Sequence, residues 1–306
     1  MKYYQDTFDF SVEEPCVISL GKFDGLHMGH KCLMEQMKKE KENGCKSVAI
    51  TFSVPPRSLE SGSYKVLSTN EEKKAIFEKA GIDVLIELPF TEQLKHMSPY
   101  DFLRMLNDRI NIRVIVVGTD FRFGSGRQGS YLTLQNYEEE FGYTCRVVEK
   151  LQYQQKDISS TRIRELIERG AMEETNLLLG YPYFLRGTVV HGEGLGHTKG
   201  MPTINMIPPE NKLLPPAGVY AATVEIDRRV CRGISNIGYK PTVGAFPIGV
   251  ETHLFDYSGS LYGRTLDVCF HHFLRPEQKF DSLDSLMAQI QKDMDACWEI
   301  LDNILP

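Results

Sequence analysis

Apolar positions along the chain fall into two textures. Between about residues 16 and 180, short apolar runs alternate with segments of helical spacing. Strands are predicted at 16–20, 47–52, 84–88, 114–118 and 144–148. The runs VLIEL and VIVVG are almost wholly apolar, as in strands buried on both faces. Helices are predicted between them at 30–43, 70–80, 98–109 and 133–141, and Gly44 and Gly81 stand where C-terminal caps belong. This β-α-β-α rhythm predicts a Rossmann-like, doubly wound parallel sheet. A helix over 160–169 ends at Gly170, and a shorter one closes at Gly180.

After Tyr181-Pro182-Tyr183 the pattern becomes strand-like, at 184–190, 203–206, 218–226, 230–234, 250–256 and 266–273, with dense Pro and Gly between. Six short strands predict a small antiparallel barrel. A terminal helix follows over 282–301, with Leu283, Leu286, Ile290, Met294 and Trp298 at helical spacing. The expected organisation is therefore α/β + β. An α/β domain spans residues 1–180, and a six-stranded antiparallel β-barrel with a terminal helix spans 181–306.

Composition agrees with two folded domains. The 306 residues include 42% hydrophobic positions, and domains average ~150 residues. Thirty-five Lys+Arg against 41 Asp+Glu give a net charge of −6, which argues against a basic nucleic-acid-binding surface. No run approaches the ~18 apolar residues of a membrane span. The first residues, MKYYQDTFDFSVEEP, lack the apolar core of a signal peptide. Seven scattered cysteines without a CxxC pair read as reduced thiols, so a cytoplasmic location is expected. A weak homo-oligomer is the expected assembly.

Three segments of the first half suggest anion chemistry. The run from Gly21 to His30, GKFDGLHMGH, joins the first strand to the first helix. Gly25 and Gly29 allow close backbone approach. A helix N-terminus there offers free N–H groups, and His27 and His30 could donate to a triphosphate. Core histidines or a metal pair are the alternatives, although zinc needs a third ligand and none lies nearby in sequence. The second segment is ISSTRIR. Ser159, Ser160 or Thr161 can cap a helix and face an anion, and Arg162 and Arg164 add charge where the helix dipole opposes it. A plain cap with solvated arginines fits equally well. The third, VGTDFRFGSGRQG, follows the most apolar strand. Asp120 there could hold substrate, or the run could be a long surface turn.

In the second half, a glycine-rich run over 191–200 leads into Pro202-Thr203-Ile204-Asn205. A strand follows the glycines, not a helix, so this is no dinucleotide fingerprint. Thr203 and Asn205 would point to one face and could help hold Mg²⁺. Glu251, on another strand, is either a solvated rim residue or, facing the same cleft, a general base.

Taken together, GxFDGxHxGH, VGxDFxFG and SSTxIR resemble the N-terminal half of prokaryotic bifunctional riboflavin kinase/FAD synthetases, members of the HxGH nucleotidylyltransferases. GxPTxN, SNIGxKPT, VETHLFD and FLRPEQKFDSLDSL resemble their riboflavin kinase module, in the same order. The resemblance implies a nucleotide-binding turn built from Gly21, Phe23, Asp24, Gly25 and Gly29, with His27 and His30 on the ATP phosphates. It implies Asp120 beside the nucleotide and Ser160, Thr161 and Arg164 on phosphate. Gly200 and Pro202 would bind nucleotide, Thr203 and Asn205 Mg²⁺-nucleotide, and Glu251 would take the ribityl 5′-hydroxyl proton. The implied ligands are ATP, riboflavin, FMN and FAD. One segment departs: where the family commonly has TF-x-P-H-P, this chain reads TFSVPP, with Val54 and Pro55 in place of Pro and His. That departure favours a second reading, a riboflavin kinase with a weakened N-terminal domain; a third, a non-catalytic flavin-binding regulator, is opposed by intact His27, His30, Asn205 and Glu251. The departure also predicts that adenylyl transfer is the weaker activity, with Lys22 or Arg57 partly compensating.

Overall fold

The computed structural model describes residues 1–53, 64–191, 203–239, 248–255 and 257–304. Val54, Pro55 and Arg57, and the glycine run with Gly200 and Pro202, lie outside the described residues. The chain forms two compact units, Met1–Ser160 and Thr161–Pro306.

The first unit contains β1 (Lys2–Tyr4), β2 (Val12–Leu20), β3 (Lys46–Phe52), β4 (Val84–Leu88) and β5 (Ile110–Gly118). A short hairpin, β6 (Arg122–Phe123) and β7 (Gly129–Ser130), precedes β8 (Thr144–Val148). A second hairpin, β9 (Gln152–Tyr153) and β10 (Lys156–Asp157), follows it. The helices are α1 (Met28–Glu42), α2 (Asn70–Lys79), α3 (Glu92–Lys95), α4 (Pro99–Asn107), α5 (Tyr131–Asn136) and α6 (Glu138–Phe141). The main sheet runs β1-β4-β3-β2-β5-β8, parallel throughout.

Successive side chains on a strand point to opposite faces, so each central strand feeds two cores. Ile18, Val48, Ile86 and Ile115 pack on one side. Val17, Ala49, Leu85 and Val116 pack on the other. Each large side chain buried this way contributes roughly 1.5–3 kcal/mol. The chain leaves β2 for β3 on one side and later returns to β5 on the other. That makes the carboxyl ends of β2 and β5 the switch point where such sheets hold ligands.

Several features differ from the sequence pattern. β1, absent from that pattern, pairs with β4, and the Tyr3 hydroxyl donates to Glu87 at 2.5 Å. The helix expected over 133–141 is two short helices, broken at Tyr137 and closed by left-handed Gly142.

The second unit comprises α7 (Ser160–Glu168), α8 (Met172–Leu179), β11 (Tyr183–Thr188), β12 (Thr203–Met206), β13 (Gly218–Ile226), β14 (Arg229–Tyr239), β15 (Ile248–Leu254), β16 (Thr265–Pro276) and α9 (Leu283–Asp302). Its sheet runs β11-β16-β13-β14-β15-β12, antiparallel throughout. A bridge from Val190 N–H to Asn205 O, 2.9 Å, links the chain just beyond β11 to β12 at the opposite edge of the sheet. The terminal helix seats Cys297 and Leu301, both fully buried, and stacks Trp298 on Phe255 with centroids 5.2 Å apart.

Packing divides the chain before residue 180. Asn176 Nδ2 donates to Phe270 O at 2.9 Å, and Asn176 Oδ1 accepts from Tyr183 N at 2.7 Å. These bonds tie α8 to the barrel.

Candidate active sites

The turn after β2 is strained and tightly held. Phe23, Gly25 and Leu26 all have left-handed φ values, of 46°, 84° and 33°. Such a conformation costs a non-glycine residue about 1–3 kcal/mol and survives only where its surroundings enforce it. Here Phe23 and Leu26 are both buried, and the Phe23 ring meets Phe77 and His30 edge-on, each at 5.2 Å.

This turn delivers His27 in extended conformation (φ −67°, ψ 175°) to the head of α1, with His30 in the first turn. The two imidazoles stack with centroids 3.8 Å apart and planes 26° apart. A Cβ on Gly29 would lie 3.1 Å from His27 Nδ1, so the missing side chain makes room for the ring. Nδ1 of His27 and Nδ1 of His30 are both sealed from solvent, and neither finds a partner among the described residues. Burial lowers the pKa of His27 to about 4, while Asp120 acts in the opposite direction. Burial and the neighbouring His27 hold His30 well below its ordinary value. Two neutral imidazoles at a helix N-terminus suit an anionic, hydrogen-bond-accepting ligand. Among the described residues, no three His, Cys, Asp or Glu side chains stand close enough together to hold a metal ion.

Asp120 emerges just beyond β5, across the switch point from the histidines. It pairs with Lys150 at 3.2 Å, and Lys150 also holds Asp157 at 2.9 Å. Asp24 has a local structural role in the turn. Its Oδ1 accepts from the amides of Leu67 (2.7 Å) and Ser68 (3.2 Å), which fastens the entry to α2. The Ser160 hydroxyl donates to Asp24 O at 2.7 Å, fixing the end of the first unit to the glycine turn. Thr161, Arg162 and Arg164 open the second unit. There the charge of Arg162 is met within the fold by Glu174 at 2.8 Å.

In the barrel, strand register supplies what spacing could not. Asn205 lies directly opposite Glu251, and Thr203 opposite His253. Cross-strand partners share a face, so Thr203, Asn205, Glu251 and His253 line one surface. On the other flank of β15, Asn236 is opposite Glu251. The alternate positions face the other way, where Ser235 and Thr252 form a buried hydroxyl pair at 2.7 Å. His253 and Asn236 were not distinguishable in the sequence as site residues, because only the register brings them beside Glu251.

Two family descriptions match in series. Residues 9–162 match the family described as FAD synthetase, and residues 179–301 match riboflavin kinase. A bifunctional riboflavin kinase/FMN adenylyltransferase from Listeria monocytogenes is 33% identical over 282 residues, covering 90% of each chain. The protein of the same name from Bacillus subtilis is 33% identical over 296 residues, covering 94% of this chain and 93% of its own. A crystal structure described as a macrolide-efflux protein from Streptococcus pneumoniae superposes with a TM-score of 0.85 at 30% identity, covering 96% of this chain and 97% of that one. Among the described residues of this chain, no helix is long and apolar enough to cross a membrane. With both modules in the order of those relatives and matched over nearly its whole length, the chain belongs to the bifunctional riboflavin kinase/FMN adenylyltransferase family.

Proposed function

We propose a division of labour between the two halves of the chain. The enzyme phosphorylates riboflavin with ATP to FMN, then adenylylates FMN with a second ATP to FAD, releasing pyrophosphate. Phosphoryl transfer is assigned to 181–306 and adenylyl transfer to 1–180, with the start of α7 contributing phosphate contacts. Seven free cysteines support a cytoplasmic setting.

In the kinase centre, Glu251 accepts the 5′-hydroxyl proton of riboflavin. The oxygen then attacks the γ-phosphorus, and ADP leaves. The hydroxyl of Thr203 and the amide oxygen of Asn205 are hard donors on the Glu251 face, a set that fits Mg²⁺. When bound with the nucleotide, that ion neutralises phosphate charge. Gly200 and Pro202 are assigned to the nucleotide from the sequence pattern.

In the adenylylation centre, an FMN phosphate oxygen attacks the α-phosphorus of ATP and pyrophosphate departs. No covalent enzyme intermediate is required, so the protein's part is positioning and charge compensation. His27 and His30 donate to the ATP phosphates from the head of α1, and Gly21, Phe23, Gly25 and Gly29 shape the turn. Asp120 borders the nucleotide. Ser160, Thr161 and Arg164 are assigned to phosphate.

The observation that carries this assignment is the stacked histidine pair at the switch point, with two buried, unpartnered ring nitrogens. The test is incubation with riboflavin and ATP, with Mg²⁺ or with a chelator, followed by chromatography. FAD in the Mg²⁺ sample alone is the expected result. FMN alone would indicate a kinase without adenylyl transfer, and unchanged riboflavin would indicate a flavin-binding regulator.

A further inference from the structure

We propose that Lys150 is a positioning residue of adenylyl transfer, holding and neutralising Asp120 so that the ATP polyphosphate can seat beside a carboxylate. This rests on reading the first unit as the FMN adenylyltransferase. Strand register brings the two residues together. Gly118, the last residue of β5, pairs with Val148, the last of β8, and Asp120 and Lys150 each follow two residues later. The bare Gly118 lets the Asp120 side chain fold back over the strand end, for a Cβ there would stand 3.2 Å from Asp120 Oδ1. The other carboxylate oxygen, Oδ2, meets Lys150 Nζ at 3.2 Å.

Lys150 is held from a second side. Its Nζ donates to Asp157 Oδ2 at 2.9 Å, and the Gln152 amide donates to Asp157 Oδ1 at 2.9 Å. Asp157 ends β10 and leads into the stretch that borders the histidine turn. There Ile158 O stands 3.8 Å from where a Cβ on Gly29 would be, and the Ser160 hydroxyl bonds Asp24 O. The ammonium therefore ties the loop beyond β5 to the chain beside His27. Asp120 is also close enough to His27 to counter the lowering of its pKa. Two carboxylates and one ammonium thus flank the place assigned to the ATP phosphates, and the neutral imidazoles offset neither carboxylate. Without the ammonium, both carboxylates repel the polyphosphate. An isolated exposed ion pair contributes little, but this cation serves two anions beside the site of a highly charged ligand.

The test measures FAD formation at saturating FMN with ATP varied, at low and high KCl. It compares wild type with Lys150→Met, Lys150→Arg and the double variant Lys150→Met/Asp157→Asn. FMN formation from riboflavin and melting temperature are followed alongside. At low salt, Lys150→Met should raise KM for ATP by about three- to fivefold, with a smaller change in kcat. The difference from wild type should shrink at ~0.5 M KCl, where charges are screened beyond ~4 Å. Lys150→Arg keeps the charge and should stay within about twofold of wild type. Removing the Asp157 carboxylate from Lys150→Met should recover part of the lost affinity, and FMN formation should be unchanged throughout. An unchanged KM for ATP in Lys150→Met would overturn the assignment. So would a rise that neither salt nor Asp157→Asn reduces, or a fall in kcat alone accompanied by a lower melting temperature. If wild type makes no FAD from FMN, the adenylyltransferase reading itself fails, which is a different result from an ATP-specific defect.

Discussion

Replacing Gly29 with Ala separates helix stability from site geometry. Gly29 lies in the first turn of α1, and a methyl group there has helical backbone to sit on. In a helix interior, Ala is favoured over Gly by about 1 kcal/mol, and less near the end. The added Cβ would stand 3.1 Å from His27 Nδ1 and 3.2 Å from its Cε1. These contacts are tight enough that the ring must yield by a few tenths of an ångström. It cannot do so alone, because it stacks on His30 at 3.8 Å, which in turn meets Phe23. A misplacement of ~1 Å in a catalytic constellation costs about a hundredfold, so a shift of this size should cost roughly three- to tenfold in kcat/KM for FAD formation. Melting temperature should hold or rise, and FMN formation from riboflavin should be unchanged. The assays are steady-state kinetics with FMN or riboflavin as substrate and thermal denaturation. Full adenylyl transfer by the variant would refute the argument that Gly29 exists to seat the His27 ring.

Three further outcomes are expected. Pro55→His should raise kcat/KM for FAD formation by roughly five- to a hundredfold, the worth of one restored contact of ~1–3 kcal/mol; no gain would mean that Pro55 is not a defect. Asn205→Ala should raise the Mg²⁺ concentration needed for half-maximal kinase rate, and an unchanged requirement would remove Asn205 from the metal site. Burial lowers His27 and His271 to about 4 in the fold, against 6.5 ordinarily, and holds His30 low as well. Their contribution to stability is therefore complete above about pH 6.5 and is lost as pH falls toward 4, because the unfolded chain takes up the protons first. Denaturant titrations should give lower stability at pH 5 than at pH 7, and His271→Gln should flatten the difference.

The sequence shows those parts of the fold whose burial is continuous. β4 and the end of β5 stand out because strands covered on both faces must be apolar throughout. β14 reads only as far as residue 234 because Ser235, Asn236 and Gly238 interrupt the apolar pattern, although the strand runs to Tyr239. β1 has three residues and depends on its pairing with β4, so nothing local marks it. At the candidate sites, local spacing puts His27 and His30 at a helix head and Thr203 and Asn205 on one strand face, whereas the role proposed for Glu251 came from the resemblance to the family. The pairing of Asn205 with Glu251, and the structural commitments of Asp24 and Arg162, are contacts between distant segments. No local pattern encodes them.

The central claim is that two chemistries reside in two halves of one chain. It is tested most directly by feeding His30→Ala and Glu251→Gln riboflavin with Mg-ATP, then FMN with Mg-ATP, and separating the products. His30→Ala should convert riboflavin to FMN at the wild-type rate and lose FAD formation by about 10²–10³-fold. Glu251→Gln should lose FMN formation by about 10²–10⁴-fold yet still convert added FMN to FAD. If either folded variant loses both steps equally, or if neither loses its assigned step, the account is contradicted.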